Sequence, residues 1–175
     1  MILQTPRLTL RPFRNDDVDD ALSYRNDPEF ARFLPHIPQP FTRQDAEAFV
    51  VTNISEPWTQ SPTFAVVRTG VLIGTISFEV DANAAAAMLG YAIGRRWWGQ
   101  GLTTEAAKAA MAWAIGAFSL HRVWASTDIR HRRSQRVLEK LGMTPTHART
   151  LSRTDRNGVP IDEIVYAFEV HSSGD

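Results

Sequence analysis

Tyr91-Ala92-Ile93-Gly94-Arg95-Arg96-Trp97-Trp98-Gly99-Gln100-Gly101-Leu102-Thr103-Thr104-Glu105-Ala106 is the stretch on which the fold turns. A strand signal runs into two glycines one residue apart, and a helix signal follows at once. Glycine accepts positive φ and lets an anion come close to the main chain. The first N–H groups of a helix have no internal partner, and the positive end of its dipole points the same way. The unit therefore predicts a nest for a diphosphate, with Arg95 or Arg96 close enough for a charge-assisted contact. The plain alternative is a tight connector, because glycine is common in turns. A P-loop needs Gly-Lys-Ser/Thr, and the only lysines in the chain are Lys108 and Lys140. A dinucleotide fingerprint needs a third glycine where Thr104 stands, after the first strand of a βαβ unit.

Residues 88–95 read as the strand before the turn, with Gly90, Ala92 and Gly94 on one face. Residues 102–118 read as a long alanine-rich helix. Upstream, 63–69 and 71–80 read as two strands joined at Gly70. In the second, Leu72, Gly74, Ile76, Phe78 and Val80 share one face, and Ile73, Thr75, Ser77 and Glu79 the other. Residues 8–13 form a first strand, and a helix opens at Asp16-Asp17, acids suited to its positive end. Three prolines in 35–40 make a loop of 33–41, after which Thr42 and Asp45 resemble a capping box. Downstream, 122–127 is a strand. Residues 131–141 are a helix stopped by Gly142. Residues 144–152 and 161–170 are a closing strand pair, and Ser172-Ser173-Gly174-Asp175 should fray. The order β-α-α-β-β-β-α-β-α-β-β predicts an α+β fold, a mixed α/β sheet carrying helices, in a single domain over 1–175.

Composition narrows the function. The chain has 175 residues, 43% hydrophobic and 22% charged, with formal net charge zero. That balance is globular and gives no field to attract nucleic acid or a membrane surface. No apolar run reaches the ~18 residues of a span, and the N-terminus lacks signal-peptide regions, so a cytoplasmic protein is expected. The absence of cysteine removes disulfides, thiolate metal sites and a cysteine nucleophile. No metal is expected. Neither pattern nor charge separates a monomer from a homodimer.

Arg96-x-x-Gly99-x-Gly101 resembles the Gln/Arg-x-x-Gly-x-Gly/Ala signature of the GNAT acetyltransferase superfamily. Further phrases are similar to its RimJ/RimL-type branch, the ribosomal-protein N-terminal acetyltransferases. They are Thr5-Pro6-Arg7-Leu8-x-Leu10-Arg11, Gly90-Tyr91, Gly101-x-x-Thr104-Glu105-Ala106, His121-Arg122-Val123 and Ser134-x-x-Val137-Leu138-Glu139-Lys140-Leu141-Gly142-Met143. The resemblance spans essentially the whole chain. It implies the acyl-CoA N-acyltransferase fold, with a central pair of parallel strands splayed apart, and acetyl-CoA as co-substrate. It implies that the pantetheine arm pairs with the main chain around Ile93 and Gly94. The pyrophosphate would take backbone N–H groups from Trp98 to Thr103, that is from Trp98, Gly99, Gln100, Gly101, Leu102 and Thr103, with Arg96 beside them. The adenine end would lie near His131, where the run Arg130-His131-Arg132-Arg133 offers positive charge to a 3′-phosphate.

The implied reaction moves acetyl to a primary amine, of a protein or peptide N-terminus or of a small molecule. Without cysteine, direct attack in a ternary complex is expected. Many superfamily members protonate the leaving thiolate with a tyrosine, at the position of Leu138 here. The resemblance places a serine, Ser134, one turn earlier for that role. His131 stands where relatives carry asparagine, and Met88 where they often carry a glutamate. Glu79 and His36 are therefore the candidate bases. The Phe33–Phe41 loop, with Trp58 nearby, is expected to line the acceptor site. Two readings compete: a non-catalytic acyl-CoA sensor of the same fold, and a nicotinamide-dependent enzyme, against which Thr104 argues.

Overall fold

The computed structural model describes residues 1–170, so the tail from Ser172 to Asp175 lies outside the described residues. The elements are β1 (Leu3–Gln4), β2 (Thr9–Arg11), α1 (Val18–Arg25), α2 (Arg43–Ser55), β3 (Thr63–Arg68), β4 (Val71–Asp81), β5 (Ala86–Ile93), α3 (Leu102–Phe118), β6 (Arg122–Asp128), α4 (Arg132–Lys140), β7 (Thr144–Thr154) and β8 (Pro160–Glu169). The expected order holds, with one addition. The strand β1 is two residues long, too short for any alternation to announce it. Among the described residues no helix is long and apolar enough to cross a membrane.

All eight strands join one sheet in the order β1-β2-β3-β4-β5-β6-β8-β7. Every neighbouring pair is antiparallel except β5 and β6. That parallel pair is joined through α3, the crossover that parallel neighbours need. Its pairing covers only Ala86 to Met88 against Arg122 to Trp124. Beyond Met88 the two strands part, as the resemblance implied.

Local chemistry explains the helices beneath this sheet. Thr42 Oγ1 accepts the Asp45 N–H at 3.2 Å, and the Asp45 carboxylate accepts the Thr42 N–H at 2.8 Å, closing the capping box of α2. In α3 the buried face is Leu102, Ala106, Ala107, Ala110, Met111 and Ala114, alanine at four of six positions. Side chains this small let the helix lie close on the strands.

The sheet is covered on both sides. Phe64, Val66, Ile73, Ile76, Phe78 and Val123 pack in the layer under α3 and α4. Ala65, Val67 and Leu72 pack with Phe13, Tyr24, Phe30 and Phe41 in the layer under α1 and α2. This corrects the reading of β4. Val66 pairs with Gly74, but Val67 pairs with Leu72, so Ile73 is an extra residue. The bulge resets the parity of the strand. Leu72 therefore does not share a face with Ile76 and Phe78, and Ile73 does. Past the bulge Thr75, Ser77 and Glu79 share a face as expected, the one turned from α3 and α4.

Candidate active site

Where β5 and β6 part, a cavity of about 950 Å³ opens through the sheet. On the helix side its wall is the glycine turn and one face of α4. On the opposite side the wall includes Thr75, Ser77 and Glu79 of β4, then the loop around His36.

The turn has the form that anion binding requires. Gly99 and Gly101 adopt φ of +75° and +76°, a conformation that costs an L side chain about 1–2 kcal/mol. Gly101 is the N-cap of α3 and supplies no side-chain cap, so the first N–H groups of α3 keep their donor capacity. The turn is braced from behind by the N-terminal segment. Arg7 donates from Nη1 to the Gln100 carbonyl at 2.9 Å and from Nε to Glu105 at 2.6 Å. The Arg7 N–H and the Thr5 hydroxyl also reach Glu105, at 3.0 and 2.7 Å. Desolvation would raise the Glu105 carboxyl, but these hydrogen bonds from Thr5 and Arg7 outweigh it and hold it below its ordinary range. Glu105 is thus an ionised strut for the turn.

The arginine side chains expected near the phosphates face elsewhere, and so does the side chain of Gln100, expected to contribute its backbone N–H. Arg96 is exposed and stacks its guanidinium on Trp97 at 5.3 Å. Arg95 pairs with Asp27 at 3.6 Å. The Gln100 side chain accepts from Arg68 at 2.7 Å and donates to the Arg96 carbonyl at 3.2 Å. None of the three lines the cavity, whereas Trp98, Gly99, Gly101, Leu102 and Thr103 do. The run 130–133 also divides. Arg130 is held by Asp128 at 2.6 Å and Asp155 at 3.1 Å, and Arg132 donates to Gln135 at 3.0 Å. Arg133 remains on the wall, joined one and two turns on by Arg136 and Lys140. Helical spacing places these three cations on one stripe facing the glycine turn, a pattern that the contiguous run 130–133 did not display.

The main chain around Ile93 and Gly94 is also committed. The Trp98 indole N–H donates to the Ile93 carbonyl at 2.6 Å, and the Gly94 N–H donates to the Ile73 carbonyl at 2.8 Å. The stretch of β5 left without a β6 partner begins upstream, at Leu89. Arg133 closes over the Trp98 ring at 4.8 Å, so Trp98 links the turn to α4.

Ser134 is buried and lines the cavity. Its hydroxyl lies 2.8 Å from the Tyr91 hydroxyl, which also reaches the Ser134 carbonyl at 3.1 Å. Tyr91 is a site residue that the sequence does not single out. Its partnership with Ser134 spans the gap between β5 and α4 and has no local signature. Burial pushes the Tyr91 phenol well up, against the opposing effect of the Ser134 hydrogen bond, so it stays neutral. His131 caps α4: its Nδ1 accepts the Ser134 N–H at 3.0 Å. Its ring stands edge-on to Phe33 at a centroid distance of 4.3 Å. Burial lowers the His131 pKa, with Arg133 and Arg32 adding to the effect against Asp128. A cap through Nδ1 requires that neutral form. Leu138 is fully buried in the core under α4 and does not line the cavity.

On the acceptor side, Glu79 is exposed at the rim and pairs in register with Met88. Its carboxylate therefore rises beside the position where relatives often carry a glutamate. His36 is exposed on the loop, which also puts Phe33, Leu34 and Ile37 on the wall. Arg156, at the tip of the β7–β8 hairpin, donates to the Leu34 carbonyl at 3.1 Å and to the Ile37 carbonyl. Trp58 does not line the cavity. It packs edge-on against Phe64 and Trp113, at 4.9 and 5.9 Å, in the layer under α3. The sequence reading passed over Glu56 and the buried Glu163, which also line the wall. Glu163 takes the Ser126 hydroxyl at 3.0 Å and Arg149 Nε at 2.6 Å.

Comparison with known proteins identifies the family and the fold. Residues 7–144 match the family model of the acetyltransferase (GNAT) domain. The uncharacterised N-acetyltransferase p20 of Bacillus licheniformis is 28% identical over 142 residues, 79% of this chain and 80% of that protein. The [ribosomal protein uS5]-alanine N-acetyltransferase of Escherichia coli is 36% identical over 73 residues, 41% of this chain and 38% of its own. Among solved structures, the ribosomal L7/L12 α-N-protein acetyltransferase RimL in complex with coenzyme A shares the fold. The TM-score is 0.86 at 20% identity, covering 97% of this chain and 98% of that one.

Proposed function

Since the chain belongs to the GNAT acetyltransferase family, we propose that it carries acetyl from acetyl-CoA to a primary amine by direct attack in a ternary complex. The observation that carries this reading is the cavity itself. It joins the glycine turn and the cations of α4 on one side of the sheet to a polar strand face on the other. The buried Ser134 lies on its wall between them. The α3 N-terminus and the cation stripe fit the phosphates of coenzyme A. The unpaired stretch of β5 suits the amides of an extended pantetheine arm. No step needs a covalent acetyl-enzyme, and the chain has no cysteine to form a thioester.

In this reading Ser134 donates to the departing thiolate. A hydrogen bond to a charged group is worth about 1.5–3 kcal/mol, roughly ten- to a hundredfold in rate. Glu79 or His36, through water, takes the proton of the attacking amine. The demand on that base is small for an α-amino group, whose pKa near 8 leaves about a tenth neutral at pH 7. The E. coli relative acts on the alanine of a ribosomal protein. We extend to this chain only the chemistry, an α-amino group of a peptide or protein, or a small amine.

The test is thiol release from acetyl-CoA against a panel of peptides and small amines, with both substrates varied. Expected are amine-dependent release and intersecting double-reciprocal lines. Parallel lines would overturn direct attack. Tight coenzyme A binding with no turnover on any amine would favour the sensor reading.

A further inference from the structure

Arg25, the last residue of α1, is a buried cation. It is 7% exposed and lines the cavity on its acceptor side. Four aromatic rings surround it: Cζ lies 3.8 Å from the centroid of Phe49, 5.1 Å from Phe41, 5.9 Å from Phe30 and 6.0 Å from Tyr24. Rings satisfy the charge through their faces, but they accept none of the in-plane N–H groups well. Nε is buried and has no hydrogen-bond partner, and neither has the neighbouring Tyr24 hydroxyl. Among the described residues no carboxylate forms an ion pair with Arg25. Buried donors are almost always paired in folded proteins, and a buried charge most of all. A buried guanidinium without an ion-pair partner on a cavity wall calls for an acceptor brought by the ligand.

We propose that Arg25 is the carboxylate-binding residue of the acceptor site, so that the amine acetylated here carries a carboxylate of its own. This rests on the acetyl-transfer reading and narrows its substrate class. The planar guanidinium fork matches a carboxylate in two parallel hydrogen bonds. Phe30 and Phe49 supply an apolar wall beside it, while Glu56 and Glu79 on the same cavity suit the ammonium end. An acceptor with both charges is an amino acid, or a peptide whose first residue is acidic. The same carboxylate chemistry serves either.

The experiment compares matched acceptors in one assay: free amino acids against their carboxamides, and peptides beginning with Asp or Glu against those beginning with Asn or Gln. In the wild type kcat/KM should favour the carboxylate member by about ten- to a hundredfold, the worth of a charged hydrogen-bond pair. Arg25→Met should abolish that ratio and leave the KM for acetyl-CoA unchanged. Arg25→Lys, which keeps the charge without the fork, should retain part of it. The ratio is measured within each variant and so does not depend on the folded fraction. Which pair shows the preference decides between a free amino acid and an acidic peptide. Equal turnover of acids and amides, or a ratio that survives Arg25→Met, would overturn the proposal. Calorimetric titration of the coenzyme A-saturated protein with N-acetyl amino acids separates the two levels. Binding lost in Arg25→Met, with no amine ever acetylated, sinks the transfer reading and keeps the carboxylate site. No binding by the wild type sinks the site.

Discussion

Removing the Tyr91 hydroxyl, by Tyr91→Phe, tests whether Ser134 works as a positioned donor. The phenol makes two contacts, to the Ser134 hydroxyl at 2.8 Å and to its carbonyl at 3.1 Å. Neutral hydrogen bonds are worth about 0.5–1.5 kcal/mol each, so the loss of stability should be about 1–3 kcal/mol. In a chain of this size that lowers Tm by roughly 2–4 °C per kcal/mol. The kinetic effect is smaller and indirect. The serine keeps its hydroxyl but loses the partner that fixes its rotor. We expect kcat to fall about fivefold, the equivalent of ~1 kcal/mol. Ser134→Ala should cost about ten- to a hundredfold. The double variant should be no slower than Ser134→Ala alone, because Tyr91 acts only through Ser134. The double-mutant cycle would then show a coupling of about 1 kcal/mol, well outside the few tenths expected of independent sites. The assay is kcat under saturating acetyl-CoA and amine, with thermal unfolding alongside. Multiplicative losses would refute the reasoning. So would a larger loss in Tyr91→Phe than in Ser134→Ala, which would make the phenol the proton donor despite the burial that pushes its pKa up.

Two further outcomes follow from the geometry. Arg7→Met releases the Gln100 carbonyl and Glu105 together, so KM for acetyl-CoA should rise several-fold while kcat stays level, as initial rates would show; an unchanged KM would make the brace irrelevant to the turn. His131 caps α4 as a neutral ring with its pKa held below the ordinary 6.5; the unfolded chain takes up that proton first, so the stabilisation is whole above about pH 6.5 and is lost as pH falls toward the folded value. His131→Asn caps without titrating, and urea midpoints between about pH 5 and 7 should then vary less than in the wild type; identical pH profiles would show that the cap is not the source.

The fold was legible where sequence distance is short. The α3 helix spans Leu102–Phe118 as read, because a glycine pair marks its start and an alanine face its length. The strands β5 and β6 were equally plain, and the position of Ser134 followed from a phrase of neighbouring residues. What escaped was long-range or carried by no residue type. The bulge at Ile73 is a miscount between strands, invisible in either strand alone. Tyr91 meets Ser134 across 43 positions. Arg25 reads as an ordinary basic C-terminus of a helix until four distant rings gather around it. The charge of the run divides for a simple reason. Adjacent arginines on a helix start point in different directions, so of 130–133 only Arg133 faces the turn, and its true partners are Arg136 and Lys140.

The parting of β5 and β6 has a mechanical side. Three register pairs are all that the sheet ladder provides between the β1–β5 half and the β6–β8 half. Beyond them the halves are linked by contacts such as Tyr91 with Ser134 and Trp98 with Arg133. Protein sheets usually guard their outer edges against stray pairing; this one keeps an open edge in its middle. An extended ligand laid along it, as proposed for the pantetheine arm, would act as a removable ninth strand and sew the halves together. On the proposed reading the cosubstrate would belong to the architecture as well as to the chemistry: its departure would unstitch the sheet, and the stiffness of the molecule would follow its state of loading.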